Sequence, residues 1–192
     1  SGEWVGAMAM SEPDIGTDVL GMSTTADRQE DGSWLINGRK MWITNGCIDD
    51  EGTPCDVVWT YAKIGVDQKG RAEISTFIVE KGHPGVSVGQ KILDKTGMRA
   101  SNTAELVYDD CRVPADALVG NPGESIIHMM RNLELERLTL AAQSVGNARR
   151  CVVEMNRYAN EREAFGRQIR EFGQIQRHIG ESFAAWRAVR DY

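Results

Sequence analysis

The chain has 192 residues, 41% of them hydrophobic, and a net charge of −6. That suits a globular fold with a real core, excludes a disordered chain, and argues against nucleic acid or an anionic membrane surface as the main partner. The four scattered cysteines contain no Cys-x-x-Cys pair, which argues against a metal centre or disulfide framework, and no apolar run reaches the roughly 20 residues that a membrane helix needs.

Up to Gly120, short β-prone runs alternate with turn residues. The pattern predicts strands at 4–10, 22–28, 34–36, 40–44, 57–63, 75–80, 86–91 and 105–113, with Asp31-Gly32 and Asn37-Gly38 as tight turns between strands. Many short strands at this spacing predict a small antiparallel barrel or sandwich over residues 1–119. The pattern then turns helical. Asn121-Pro122-Gly123 forms a helix entry, and no proline occurs from Ser125 onward. One long helix is predicted from about 124 to about 162, then a loop near Phe165-Gly166, then a second helix from about 174 to 192. Two helices cannot bury their own apolar faces well, so 120–192 reads as part of a larger helical bundle and the fold class as α+β.

Five segments carry candidate chemistry. In Lys40-Met41-Trp42-Ile43-Thr44-Asn45-Gly46, strand alternation puts Trp42 and Thr44 on one face, an aromatic plane beside a hydroxyl. A planar heteroaromatic cofactor would use both; the competing reading is a core tryptophan and a solvated threonine. The loop Met10-Ser11-Glu12-Pro13-Asp14-Ile15-Gly16-Thr17-Asp18 can offer backbone N–H groups to a phosphate or a ring edge, or can be a plain connection. The polar run from Asp94 to Thr103 includes Arg99, which could meet an anion or a structural carboxylate. In Leu133-Glu134-Leu135-Glu136-Arg137-Leu138, Glu136 shares a helical face with Met129, Leu133 and Leu140, whereas Glu134 falls with Met130 and Leu138. A carboxylate on an apolar seam is costly unless paired or functional; the alternative is an ion pair with Arg131 or Arg137. Arg162 and Arg167 flank a glycine-containing loop, which reads as a phosphate site or as a solvated basic turn.

Taken in order, Ser-Glu-Pro, Gly-Thr-Asp, Lys-Met-Trp-Ile-Thr-Asn-Gly, Gly-Met-Arg-Ala-Ser-Asn-Thr-Ala-Glu-Leu, Glu-Arg-Leu and Arg-Glu-Ala-Phe-Gly closely resemble the acyl-CoA dehydrogenase family along the whole chain. The stretch 97–113 with Cys111-Arg112-Val113-Pro114 looks most like the isovaleryl-CoA dehydrogenases. The resemblance implies a middle β-domain and the start of a C-terminal four-helix domain, with the family's other helices outside the sequence. It implies FAD, with Met10 and Ser11 along the flavin edge, Thr17 near the pyrophosphate, Trp42 flanking the ring system and Thr44 bonding near N5. Arg162 and Phe165 match residues that reach the FAD of a neighbouring subunit, which implies a homotetramer. No metal is implied.

The implied reaction is α,β-dehydrogenation of a short branched acyl-CoA, with electrons passed to an electron-transfer flavoprotein. Glu136 matches the catalytic base of isovaleryl-type enzymes. The resemblance gives Arg137 a contact with the CoA portion or a role in supporting the helix, and Glu134 aligns with an acidic position that can touch the pantetheine chain. In a eukaryote the enzyme would work in the mitochondrial matrix, in leucine breakdown, and otherwise in the cytoplasm. The alternatives are a straight short- or medium-chain dehydrogenase whose base lies beyond Tyr192, a same-fold oxidase or monooxygenase, or an inactive assembly module. One departure from the family stands out: Gly173 replaces the usual glutamine, and Gln174 follows it one position later.

Overall fold

The computed structural model describes residues 2–192, which divide into two compact units, the first running to Met129 and the second Met130–Tyr192. The first unit is built on eight strands: β1 (Gly6–Ala9), β2 (Thr25–Arg28), β3 (Trp34–Thr44), β4 (Val57–Val66), β5 (Ala72–Glu80), β6 (Val86–Lys91), β7 (Thr103–Val113) and β8 (Leu118–Val119). They hydrogen-bond in the order β6-β7-β3-β2-β4-β5-β8, with β1 added alongside β4. The expected β-domain is present, but its sheet is mixed, because β1 and β2 both run parallel to β4. No closed barrel forms among the described strands.

The sheet buries one apolar cluster that includes Trp34, Ile36, Phe77, Val79, Leu106 and Val113. Trp34 and Phe77 meet at 5.2 Å between ring centroids. Tyr108 is buried too, and its hydroxyl shares a 2.8 Å hydrogen bond with Thr60 Oγ1, as a buried phenol requires.

The Asp31-Gly32 turn joins β2 to β3 as expected: Gly32 has φ 84° and its N–H donates to Gln29 O at 3.0 Å. The Asn37-Gly38 expectation is corrected. The two residues lie inside one continuous strand, because the irregularity sits on the partner strand. Ile36 pairs with Cys111 and Gly38 with Tyr108, so Asp109 and Asp110 bulge opposite Asn37, with Asp110 at φ 49°. Gly38 is required there by close approach. A Cβ on it would lie 2.5 Å from Thr24 Oγ1 and 2.7 Å from Thr24 Cα.

The long helix α1 (Ser125–Glu161) starts on the sheet. Thr76 Oγ1 donates to the buried Ser125 Oγ at 2.7 Å, and Gly123 N–H donates to Ser75 Oγ at 2.9 Å. These bonds hold the helix entry against β5.

In the second unit α1 is followed by a hairpin, β9 (Glu163–Ala164) and β10 (Arg167–Gln168), and by α2 (Gly173–Asp191). The loop expected at Phe165-Gly166 is the two-residue turn of this hairpin. Both central residues have positive φ, 52° and 76°, the type I′ pattern that matches strand twist. No residue of α2 is buried, and Leu135, Leu138 and Leu140 of α1 are exposed. An apolar groove of about 470 Å³ runs along Val145, Cys151, Val152, Met155 and Trp186.

All four cysteines are free: Cys47, Cys55 and Cys111 are buried in the first unit, and Cys151 is exposed on α1. Among the described residues, no helix is long and apolar enough to cross a membrane.

Candidate functional site

In the first unit the site residues come from β3 and from the loop that follows β1. Lys40 pairs with Leu106 and Ile43 with Ala104, so β3 spends one residue more than β7 between these pairs. Met41 and Trp42 form that bulge, and Trp42 adopts φ 65°. The consequence is a change of phase. Lys40 and Ile43 both face inward, whereas strict alternation from Lys40 would have buried Trp42 and Thr44. Instead Trp42 is 57% exposed and Thr44 is exposed with it. A bulky residue with positive φ is uncommon and costs of order 1 kcal/mol or more. Here that cost holds an indole face outward.

The 10–18 loop is tied to the same strand. Met41 N–H donates to Ser11 O at 2.8 Å, and Lys40 Nζ donates to Met10 O at 3.0 Å. Met10 and Ser11 are half-buried, and Thr17 is exposed further along the loop. The loop's Glu12 is fully enclosed and forms a 3.0 Å ion pair with Lys40, which is 0% exposed. Burial alone would raise the Glu12 carboxyl, but hydrogen bonds from Ser23 and Thr24 outweigh it and hold the group at about 2. For Lys40, burial pushes the ammonium down while the Glu12 carboxylate pushes it up, and burial wins. Sequence reasoning missed this pair. Its only signal was that Lys40 continues the inward phase of Ile36 and Gly38 along β3.

In the second unit, Glu136 is half-buried and accepts a 2.7 Å hydrogen bond from Asn132 Nδ2, one helical turn earlier. Among the described residues it has no ion pair with Arg131 or Arg137. Glu134 and Arg137 are exposed on the same stretch of helix. Glu134 and Glu136 differ by about 200° around the axis, and only Glu136 is partly enclosed. Arg162 and Phe165 lie just past the other end of α1; Phe165 is 96% exposed at the tip of the type I′ turn. From Glu136 to Arg162 the chain advances about 39 Å along the helix axis. One chain therefore cannot bring Glu136 and Arg162 to the same small ligand.

Two family profiles match this chain, "Acyl-CoA dehydrogenase, middle domain" over residues 7–111 and "Acyl-CoA dehydrogenase, C-terminal domain" over residues 126–192. The chain belongs to the acyl-CoA dehydrogenase family. It is 43% identical over its whole length to the mitochondrial 2-methylacyl-CoA dehydrogenase of Solanum tuberosum, covering 44% of that protein. It is also 43% identical to the mitochondrial isovaleryl-CoA dehydrogenase of Oryza sativa subsp. japonica, covering 45%. The chain thus spans less than half the length of these relatives. Among solved structures, an acyl-CoA dehydrogenase from Bacillus anthracis complexed with FAD superimposes with a TM-score of 0.85 at 36% identity, over 95% of this chain and 30% of that one.

The family's acyl-CoA dehydrogenases are FAD enzymes, and the residues present fit that cofactor. The β3 bulge turns an aromatic plane and a hydroxyl outward together, the donor set a planar heteroaromatic ring would use. The 10–18 loop is bonded to the same strand immediately before them.

Proposed function

We propose that this chain forms the β-domain and first C-terminal helices of an FAD-dependent dehydrogenase that oxidises a short branched acyl-CoA to its 2-enoyl-CoA. The placement of Glu136 carries this reading: a half-enclosed carboxylate immediately before Arg137 on α1, oriented by Asn132 rather than neutralised by an arginine. The branched substrates named for the two 43%-identical relatives support the substrate class.

Bound FAD supplies the acceptor for the hydride that leaves the substrate β-carbon. Glu136 takes the α-proton as general base, which a carboxylate within reach of an acidified thioester α-carbon can do. Trp42 and Thr44 would hold the flavin ring, Met10 and Ser11 would border it, and Thr17 would serve the pyrophosphate. Arg137 and Glu134 serve the CoA portion. Arg162 and Phe165 serve the FAD of a second subunit, a role supported by their distance from Glu136 along α1. A homotetramer, transfer of electrons to an electron-transfer flavoprotein, and a mitochondrial matrix location in a eukaryote complete the reading.

The test is anaerobic flavin bleaching of the full-length protein containing this chain, with and without Glu136→Gln, on isovaleryl-CoA and butyryl-CoA. Faster bleaching by isovaleryl-CoA, and its loss in the variant, is the expected result. Undiminished bleaching in the variant would place the base beyond Tyr192.

A further inference from the structure

Lys40 is the largest fully enclosed side chain in the first unit, and it is charged. Its ammonium donates to Met10 O at 3.0 Å, to Glu12 Oε1 at 3.0 Å and, more weakly, to Met22 Sδ at 3.7 Å. Glu12 is equally occupied. Its Oε2 accepts from Ser23 N at 2.7 Å and Ser23 Oγ at 2.6 Å, and its Oε1 accepts from Thr24 N at 2.9 Å as well as from Lys40. One carboxylate and one ammonium therefore tie together three stretches of chain: the start of the loop at Met10 and Glu12, its return at Ser23 and Thr24, and β3 at Lys40.

Neither charge reaches solvent, so neither can touch a ligand. A buried ion pair is a poor source of stability, because an apolar pair of similar volume commonly does as well or better. What the pair supplies is direction. An apolar plug would let the loop slide along β3. The Lys40 bonds to Met10 O and Glu12, together with the Met41 N–H bond to Ser11 O, fix the loop in one register beside the bulge that carries Trp42.

We propose that Lys40 and Glu12 are a positioning pair that sets the 10–18 loop and the Trp42 bulge in their flavin-receiving arrangement before the flavin arrives. The proposal rests on the flavin-binding reading given above. Every bond in the set runs between groups of this chain, and together they join the two segments that the flavin edge and the ring face would each require.

The experiment uses the full-length protein. Hydrogen exchange on the FAD-free wild type reads preorganisation directly, with no substitution involved. The double variant Glu12→Leu/Lys40→Met then removes both charges while keeping the volume filled, and Lys40→Met alone strands the carboxylate. In the FAD-free wild type, the amides of Ser23, Thr24 and Met41 are expected to be protected already. The double variant is expected to unfold at a denaturant concentration close to wild type, yet to bind FAD at least about tenfold more weakly with a shifted flavin absorption band. Lys40→Met should lose both stability and affinity.

Two results would overturn the proposal: the three amides exchanging freely until FAD is added, or wild-type FAD affinity and spectrum in the double variant. If the variants do not fold, the exchange measurement on the wild type decides. A wild type that takes up no FAD overturns the proposed function itself, an outcome distinct from failure of the pair.

Discussion

Asn37 and Asp110 hold each other twice across β3 and β7: Asn37 Nδ2 donates to Asp110 Oδ1 at 3.0 Å, and Asp110 N–H donates to Asn37 Oδ1 at 2.8 Å. The side-chain amide takes the place of a ladder partner for a backbone that has left the ladder, and it keeps Asp110 at φ 49°. Asn37→Ala removes both bonds and should cost about 1–2 kcal/mol, read as a lower urea midpoint for the first unit.

Gly38→Ala should be worse. Its Cβ would meet Thr24 Cα, a backbone atom, at 2.7 Å, at φ 146°. We expect a loss of about 2–4 kcal/mol from overpacking and strain. Thr24→Ser in the same chain should not rescue it, because the contact with Cα remains. A rescue would mean that β2 can move away from β3.

Stability in acid should track Glu12. Its folded carboxyl sits at about 2, against 4.5 for the ordinary group. A depressed folded value means stability that is fully present above pH 4.5 and lost as pH falls toward 2, about 3 kcal/mol in all. Urea midpoints taken between pH 6 and pH 2 should therefore fall steeply for wild type and more gently for Glu12→Gln, whose starting stability is lower. Parallel curves would show that other carboxylates govern acid unfolding.

Trp42→Gly should separate folding from cofactor binding. Glycine relieves a left-handed cost of about 1–2 kcal/mol, which offsets the burial lost from the covered part of the indole. The unfolding free energy should thus change by less than about 1 kcal/mol, while FAD affinity in the full-length protein falls. A large loss of stability with unchanged affinity would make Trp42 a packing residue.

Much of this fold was legible because local pattern and tertiary environment agree. The strand at 86–91 matches β6, and α1 and α2 begin and end within one residue of their predicted limits, since periodicity and the Asn121-Pro122-Gly123 entry are local signals. Asn37-Gly38 misled because the same dipeptide that makes a hairpin turn also suits a position opposite a bulge, and the bulge belongs to Asp109 and Asp110, more than 70 residues away. The parallel pairing of β1 and β2 with β4 was hidden for a related reason: strand alternation reports which face is buried but not which neighbour is bonded. Trp42 and Thr44 were picked out as sharing a face, and they do. Yet the face is the exposed one only because of a bulge that the sequence pattern did not reveal. The inward phase of Lys40 along β3 signals burial, but nothing short of the folded loop shows that Glu12 is its partner.

The distribution of sulfur gives the molecule a built-in counter. Cys47, Cys55 and Cys111 are enclosed, and burial pushes their thiols up, Cys111 to about 11; Cys151 stands open on α1. An alkylating reagent at neutral pH should add one label per folded chain and four per unfolded chain. The mass spectrum then sorts molecules by whether the sheet has opened, one molecule at a time and without a dye. Because Cys151 lines the apolar groove along α1, its own labelling rate is a second gauge. A slow first label on a longer form of this protein would show that another segment or subunit has come to rest there.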